Sequence, residues 1–192
     1  MRKPKFDIIS ILGETAAIKD GHFELPCGLH IQSYVDTSVI MQYPSMAAKI
    51  AKALADLFDK KIDVVFSATV ENSIIAQEVA RVKNARAVFA ITEDGVMKLK
   101  GGMTIRPKEN VLIVDNVTMT GRKVGEAAKL AFVLGANPIG VAAIVDRSGG
   151  TADFGVRFES IYRAVITSYS EDDCPLCEQG IPVVKPGSRA LV

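Results

Sequence analysis

A chain of 192 residues, 48% hydrophobic and 23% charged, is long enough to bury one sizeable core. Its 23 basic and 22 acidic side chains leave a formal net charge of +1, too little field to hold a polyanion through counterion release, so nucleic acid is not an expected partner. No stretch nears the roughly 20 apolar residues of a membrane span, the run behind the basic start Met1 to Lys5 is broken by Asp7, Gly13 and Glu14, and three cysteines make no secreted disulfide framework; no membrane association is expected, and the cytoplasm is the expected compartment.

In chain order, Phe6 to Ala17 reads as a short helix, and His22 to Leu25 with Gln32 to Val35 as a hairpin around Gly28. Tyr43-Pro44-Ser45 opens an amphipathic helix in which Met46, Ile50, Leu54, Leu57 and Phe58 recur at three- and four-residue spacing. A buried strand, Asp63 to Phe66, leads through the polar turn Ser67 to Ser73 into a second helix with Ile75, Val79 and Val82 on one face. Ala87 to Ile91 is the next strand. Thr92 to Asn110 is a long excursion of the kind that forms lids, with a hairpin expected through Met97 to Leu99 and Met103 to Ile105. Val111 to Val114 is an unbroken apolar strand, followed by a turn at Asp115 to Gly121, a helix from about Lys123 to Leu134 closed by Gly135, and a buried strand from Gly140 to Val145. Strands alternating with helices predict an α/β, doubly wound, mainly parallel sheet. One domain over 1–192 is expected, with a small N-terminal hood at 1–40, a core at 41–170 and an irregular tail at 171–192.

In an open parallel sheet, ligands bind beyond the carboxyl ends of the strands, so the turn after Val114 is where a site belongs. Asp115-Asn-Val-Thr-Met-Thr-Gly121 supplies a carboxylate, two hydroxyls and a glycine at a helix N-terminus, where free N–H groups and the helix dipole favour a phosphate. The competing role for Asp115 and Thr120 is simple helix capping. Neither Gly-x-Gly-x-x-Gly nor Gly-x-x-x-x-Gly-Lys-Ser/Thr occurs, which sets aside the dinucleotide and P-loop alternatives.

Val111-Leu-Ile-Val-Asp-Asn-Val-Thr-Met-Thr-Gly121 resembles the phosphoribosyl-pyrophosphate signature, an apolar strand, two acids and Thr-Thr-Gly-Gly. Gly21-His-Phe-Glu-Leu25 with Gly28 and His30, Glu93-Asp-Gly-Val-Met-Lys98, Val145-Asp-Arg-Ser-Gly-Gly150 and Cys174-Pro-Leu-Cys177 extend the similarity to bacterial orotate phosphoribosyltransferases, of the type I phosphoribosyltransferase fold, over essentially the whole chain. The resemblance implies transfer of phosphoribosyl from phosphoribosyl pyrophosphate to orotate, giving orotidine 5-phosphate, with Mg²⁺ carried by the substrate near Asp115 and not ligated directly by the protein. It implies that Asp115 and Asn116 act on the ribose. Thr118, Met119, Thr120, Gly121, Arg122 and Lys123 would cradle the 5-phosphate, Arg147 would grip the orotate carboxylate, Glu71 and Asn72 would line the pyrophosphate side, and Lys98 and Lys100 on a lid would meet pyrophosphate. It also implies a homodimer sharing the lid.

The chain departs from that pattern. Asn116 stands for the second acid, Ala68-Thr-Val-Glu-Asn72 for a Pro-Ala-x-Gly-Gly loop, Thr92 for an arginine, Val96 for a lid lysine, and Arg122 and Lys123 for a glycine and a hydroxyl. These losses gather on the leaving-group side and raise the alternative of a catalytically impaired paralogue that binds or senses a nucleotide. Cys174-x-x-Cys177 has metal-ligand spacing, yet a pair supplies two ligands and Cys27 is distant, so a metal-free surface turn is expected. His22 and His30 show no partner pattern and are left without a role, in the hood near the site mouth.

Overall fold

The computed structural model describes residues 7–25 and 27–186. Phe6, where the first helix was expected to begin, and 187–192 of the tail lie outside the described residues. Helix α1 (Ile8–Glu14) is capped by Asp7, whose carboxylate accepts from the Ile9 and Ser10 N–H groups. Strands β1 (Ile18–Glu24) and β2 (His30–Val35) pair antiparallel as the expected hairpin. After α2 (Ser38–Met41), Pro44 at the first position opens α3 (Pro44–Ala55), since its missing N–H has no partner to lose there.

The larger sheet is built from β3 (Val64–Ser67), β4 (Arg86–Glu93), β5 (Val96–Leu99), β6 (Asn110–Thr118), β7 (Asn137–Asp146) and β8 (Phe158–Arg163), in the order β5-β4-β3-β6-β7-β8. All neighbours are parallel except the β4–β5 edge. Helix α4 (Ser73–Lys83) packs with α1 and α3 on one face, against Val65, Leu112, Val114, Ala142 and Ile144; α5 (Arg122–Val133) covers Val64, Phe66, Val111, Ile113 and Val141 on the other. The two faces are alternate residues of the same strands, the period-2 division of a sheet covered on both sides.

Four expectations change. Val82 is exposed, and Ala76 and Ala80 complete the buried face of α4. The hairpin in the excursion joins β5 to β4, with Ile91 opposite Lys98, and not to 103–105, which form no strand. Strand β6 does not stop at Val114: it runs to Thr118, paired with β7 up to Thr118 and Asp146. The cysteine turn is not a surface feature, because Cys174 is 1% exposed at the start of α6 (Pro175–Glu178). A short strand, β9 (Ser168–Tyr169), joins the hood sheet beside β2, and the tail returns to β1 through a bridge between Phe23 and Val184.

Candidate active site

From β3 the chain winds through α4 to β4 on one side, while β6, β7 and β8 continue on the other. The winding therefore reverses between β3 and β6, and the carboxyl ends of those two strands form the crevice where such sheets bind ligands. A cleft of about 260 Å³ opens there, lined by Ala68 and Thr69 from the β3 loop and by Asp115 and Met119 to Lys123 from β6 and α5.

Asp115 is the centre of its polar network. Asn72 Nδ2 donates to Oδ1 at 2.6 Å, the Asn116 N–H donates to the same oxygen at 3.0 Å, and the Thr118 hydroxyl donates to Oδ2 at 2.7 Å. Burial raises the Asp115 carboxyl above its ordinary range, against the pull of these three donors and of Lys123. The carboxylate is thus held in one orientation and does not cap α5. Thr118 is 1% exposed with its hydroxyl committed to Asp115, so the open part of the loop begins at Met119.

Helix α5 starts at Gly121, in the left-handed region at φ 69°, and carries no side-chain cap; the Arg122 N–H reaches Thr120 Oγ1 only at 3.5 Å. A Cβ on Gly121 would stand 2.5 Å from the Phe154 ring, so glycine is required by both backbone and space. The first turn of α5 thus presents N–H groups to the cleft beside Lys123. Arg122 turns to Glu126 at 3.0 Å.

Asn72, and not Glu71, meets Asp115. Glu71 is exposed, and its carboxyl is held below its usual range by its own N–H and the Thr69 hydroxyl, with Lys123 adding to the pull. The charge that Glu71 adds to this loop therefore has a cation close by in Lys123.

Arg147 follows β7, its N–H bonded to the Thr118 carbonyl at 2.8 Å. The guanidinium is half-buried, with Tyr34 of β2 near it; desolvation lowers its pKa, and Nε is buried without a hydrogen-bond partner among the described residues. No carboxylate pairs with it there, which removes the surface ion pair as its role. The buried Asn116 Oδ1 likewise has no partner among the described residues. Lys98 lies against Glu93 at 3.3 Å on the exposed β4–β5 hairpin with Lys100, and among the described residues no hydrogen bond or ion pair joins either lysine to the Asp115 cleft.

No family model matches the chain. Among curated proteins it is 45% identical, over all of both chains, to the orotate phosphoribosyltransferase of Caldanaerobacter subterraneus subsp. tengcongensis. It is 42% identical to the orotate phosphoribosyltransferase of Thermotoga maritima, over 96% of this chain and 99% of that one. In fold it is similar to the crystal structure of orotate phosphoribosyltransferase from Aeropyrum pernix, with a TM-score of 0.69 at 20% identity, covering 82% of this chain and 93% of that one. It is also similar to adenine phosphoribosyltransferase from Rhodothermus marinus, with a TM-score of 0.65 at 16% identity, covering 82% and 100%.

Proposed function

This chain belongs to the orotate phosphoribosyltransferase family, and we propose that the cleft between β3 and β6 transfers the phosphoribosyl group of phosphoribosyl pyrophosphate to N1 of orotate. The observation that carries the reading is the meeting, at one sheet edge, of an oriented Asp115 carboxylate, an uncapped helix N-terminus and a half-buried Arg147 with no carboxylate partner among the described residues. A desolvated guanidinium is a costly thing to leave unpaired, and the planar carboxylate of orotate matches its fork.

In this reading the 5-phosphate lies on the N–H groups that open α5, between Met119 and Lys123. Asp115 faces the ribose, where its negative charge offsets positive charge developing at the anomeric carbon as the bond to pyrophosphate lengthens. Because Asn72 and Thr118 already fix its orientation, little reorganisation is needed when that charge appears. Asn116 follows Asp115 along β6, its buried Oδ1 an acceptor without a partner among the described residues.

Mg²⁺ fits this cleft as an ion carried on the substrate. Both Asp115 oxygens already accept hydrogen bonds, and among the described residues no three acidic groups converge there to cage a cation. Bound to pyrophosphate oxygens, the ion would neutralise the leaving group. Among the described residues no hydrogen bond or ion pair joins the exposed Lys98 and Lys100 to the cleft of their own chain, which suits a homodimer in which each hairpin closes over the partner's site. No observation favours a catalytically impaired paralogue.

The test follows the loss of orotate absorbance with phosphoribosyl pyrophosphate and Mg²⁺. Turnover by the native chain, weakened about tenfold or more at sub-saturating orotate in Arg147→Ala, is expected; no turnover by the native chain overturns the reading.

A further inference from the structure

We infer that His22, His30, Cys174 and Cys177 form a closed, tetrahedral zinc site that fastens the tail to the hood hairpin. The four potential ligand atoms lie within 4.8 Å of one another, with both histidines and Cys174 buried and Cys177 partly so. His22 Nε2 is 3.5 Å from Cys174 Sγ and 3.7 Å from Cys177 Sγ, and His30 Nδ1 is 3.3 Å from Cys177 Sγ. With Zn–S near 2.3 Å and Zn–N near 2.0–2.1 Å, a tetrahedron has S···N edges of about 3.5 Å, and three of its four such edges are found within about 0.3 Å of that spacing. The two imidazole nitrogens, 2.8 Å apart, would open by about half an ångström to reach their tetrahedral edge.

Proton bookkeeping supports a metal over a mutually bonded cluster. His22 Nδ1 lies 2.7 Å from the Ile181 carbonyl, which can only accept, so the proton of neutral His22 sits on Nδ1 and its Nε2 is a bare lone pair. Three groups converge on that lone pair: His30 Nδ1 and both sulfurs. One proton from His30 can occupy it, leaving two thiols clustered around an acceptor already used. A zinc ion satisfies all four atoms together: the thiols release two protons to solvent, His30 carries its proton on Nε2, and two thiolates with two neutral imidazoles neutralise the dication. Soft sulfur with imidazole nitrogen selects zinc over magnesium or calcium.

The scaffold is built for it. His22 and His30 stand on paired strands of one hairpin. Cys174 and Cys177 flank the first turn of α6, closed by Gly180 N–H to the Cys177 carbonyl at 2.9 Å and Ile181 N–H to the Leu176 carbonyl at 3.0 Å. The tail then returns to β1 through Val184 N–H to the His22 carbonyl at 2.8 Å. Four protein ligands leave no open position for water or substrate, so the role is structural. The link joins residues 152 apart in the chain.

The test is metal analysis of the full chain, purified in reducing buffer with zinc supplied and then desalted. One zinc per chain is expected, absent from the Cys174→Ser/Cys177→Ser double variant. Replacement by cobalt should give the intense visible absorption of tetrahedral cobalt with a thiolate charge-transfer band. Removal of the metal by chelation should lower the Tm by about 10 °C. His30→Cys keeps four ligands, so it should retain zinc and strengthen the charge-transfer band, which guards against a double variant that fails to fold. Zinc well below one per chain in the native protein, a weak octahedral cobalt spectrum, or cysteines whose reaction with a thiol reagent is indifferent to zinc would overturn the site.

Discussion

Asn72 Nδ2 and Asp115 Oδ1 stand 2.6 Å apart, although 43 residues separate them in the chain. The bond ties the loop after β3, where Asn72 stands just ahead of α4, to Asp115 in β6, and it makes the orientation of Asp115 depend on a side chain from a distant part of the chain.

Removing that tie should cost more in catalysis than in folding. Asn72→Ala deprives a carboxylate of one of three donors, a change worth about 1.5–3 kcal/mol, so kcat/KM for the pyrophosphate donor is expected to fall roughly ten- to a hundredfold. Asn72→Asp should be worse, since it sets two carboxylates in contact. Steady-state kinetics decide it: an Asn72→Ala enzyme with native kcat/KM would mean that Asp115 is oriented without Asn72.

How much of this was legible in the residues divides along local and long-range lines. Asp63 to Phe66, Val111 to Val114 and Gly140 to Val145 announced strands because a parallel sheet covered on both faces needs apolar runs. The extension of β6 through Asp115, Asn116 and Thr118 was hidden, because polar residues at a strand end have the composition of a turn while their backbones remain paired with β7. The hairpin expected through Met97 to Leu99 located β5 but named 103–105 and not β4 as its partner. The cysteine spacing was visible in Cys174-x-x-Cys177, whereas the histidines lie more than 140 residues away and eight apart, a spacing that belongs to no motif and acquires meaning only when the hairpin meets the tail.

Arg147 should set the affinity for the base. Arg147→Ala is expected to raise the KM for orotate by tenfold or more, because a charge-assisted contact worth about 1.5–3 kcal/mol disappears. Arg147→Lys should recover little, since an ammonium lacks the planar fork. The KM for the pyrophosphate donor should change less. Equal weakening of both substrates would place Arg147 outside the base site.

Asn116 supplies a direct probe of the departure from the two-acid signature. Its Oδ1 is buried without a partner among the described residues, so Asn116→Asp changes charge at nearly constant shape. A second negative charge beside the ribose should raise kcat, by about tenfold if it acts as a preorganised electrostatic contact. A kcat unchanged or lowered in single-turnover measurements would show that the amide is matched to this site.

Asp115 should leave a signature in stability against pH. Burial raises its carboxyl above the ordinary 3.8 despite the Thr118, Asn72 and Asn116 donors and Lys123. The folded chain then binds this proton more tightly than the unfolded chain does. Asp115 therefore costs stability progressively as pH rises from 3.8 to the higher folded value, and the cost is constant above it. Asp115→Asn has no such proton to lose, so its Tm relative to the native chain should climb through that window and then level off, while turnover is lost. Thermal melts at a series of pH values in constant ionic strength measure the difference; one that falls with rising pH would mean that the three donors outweigh burial.

Gly121 carries the last prediction, because two separable costs meet there. Its φ of 69° charges any side chain about 1–2 kcal/mol, and the Phe154 ring, which packs edge-on against Phe158 at 5.2 Å, would lie 2.5 Å from a new Cβ. Overpacking of that kind adds about 1–3 kcal/mol, so Gly121→Ala should destabilise the chain by roughly 2–5 kcal/mol and weaken donor binding by shifting the start of α5. Phe154→Ala removes the obstacle and leaves only the backbone cost, so in that background Gly121→Ala should cost about 1–2 kcal/mol. Denaturant unfolding of the four proteins closes the cycle. If the two substitutions are additive, Phe154 does not press on the phosphate loop, and the glycine is required by its backbone angle alone.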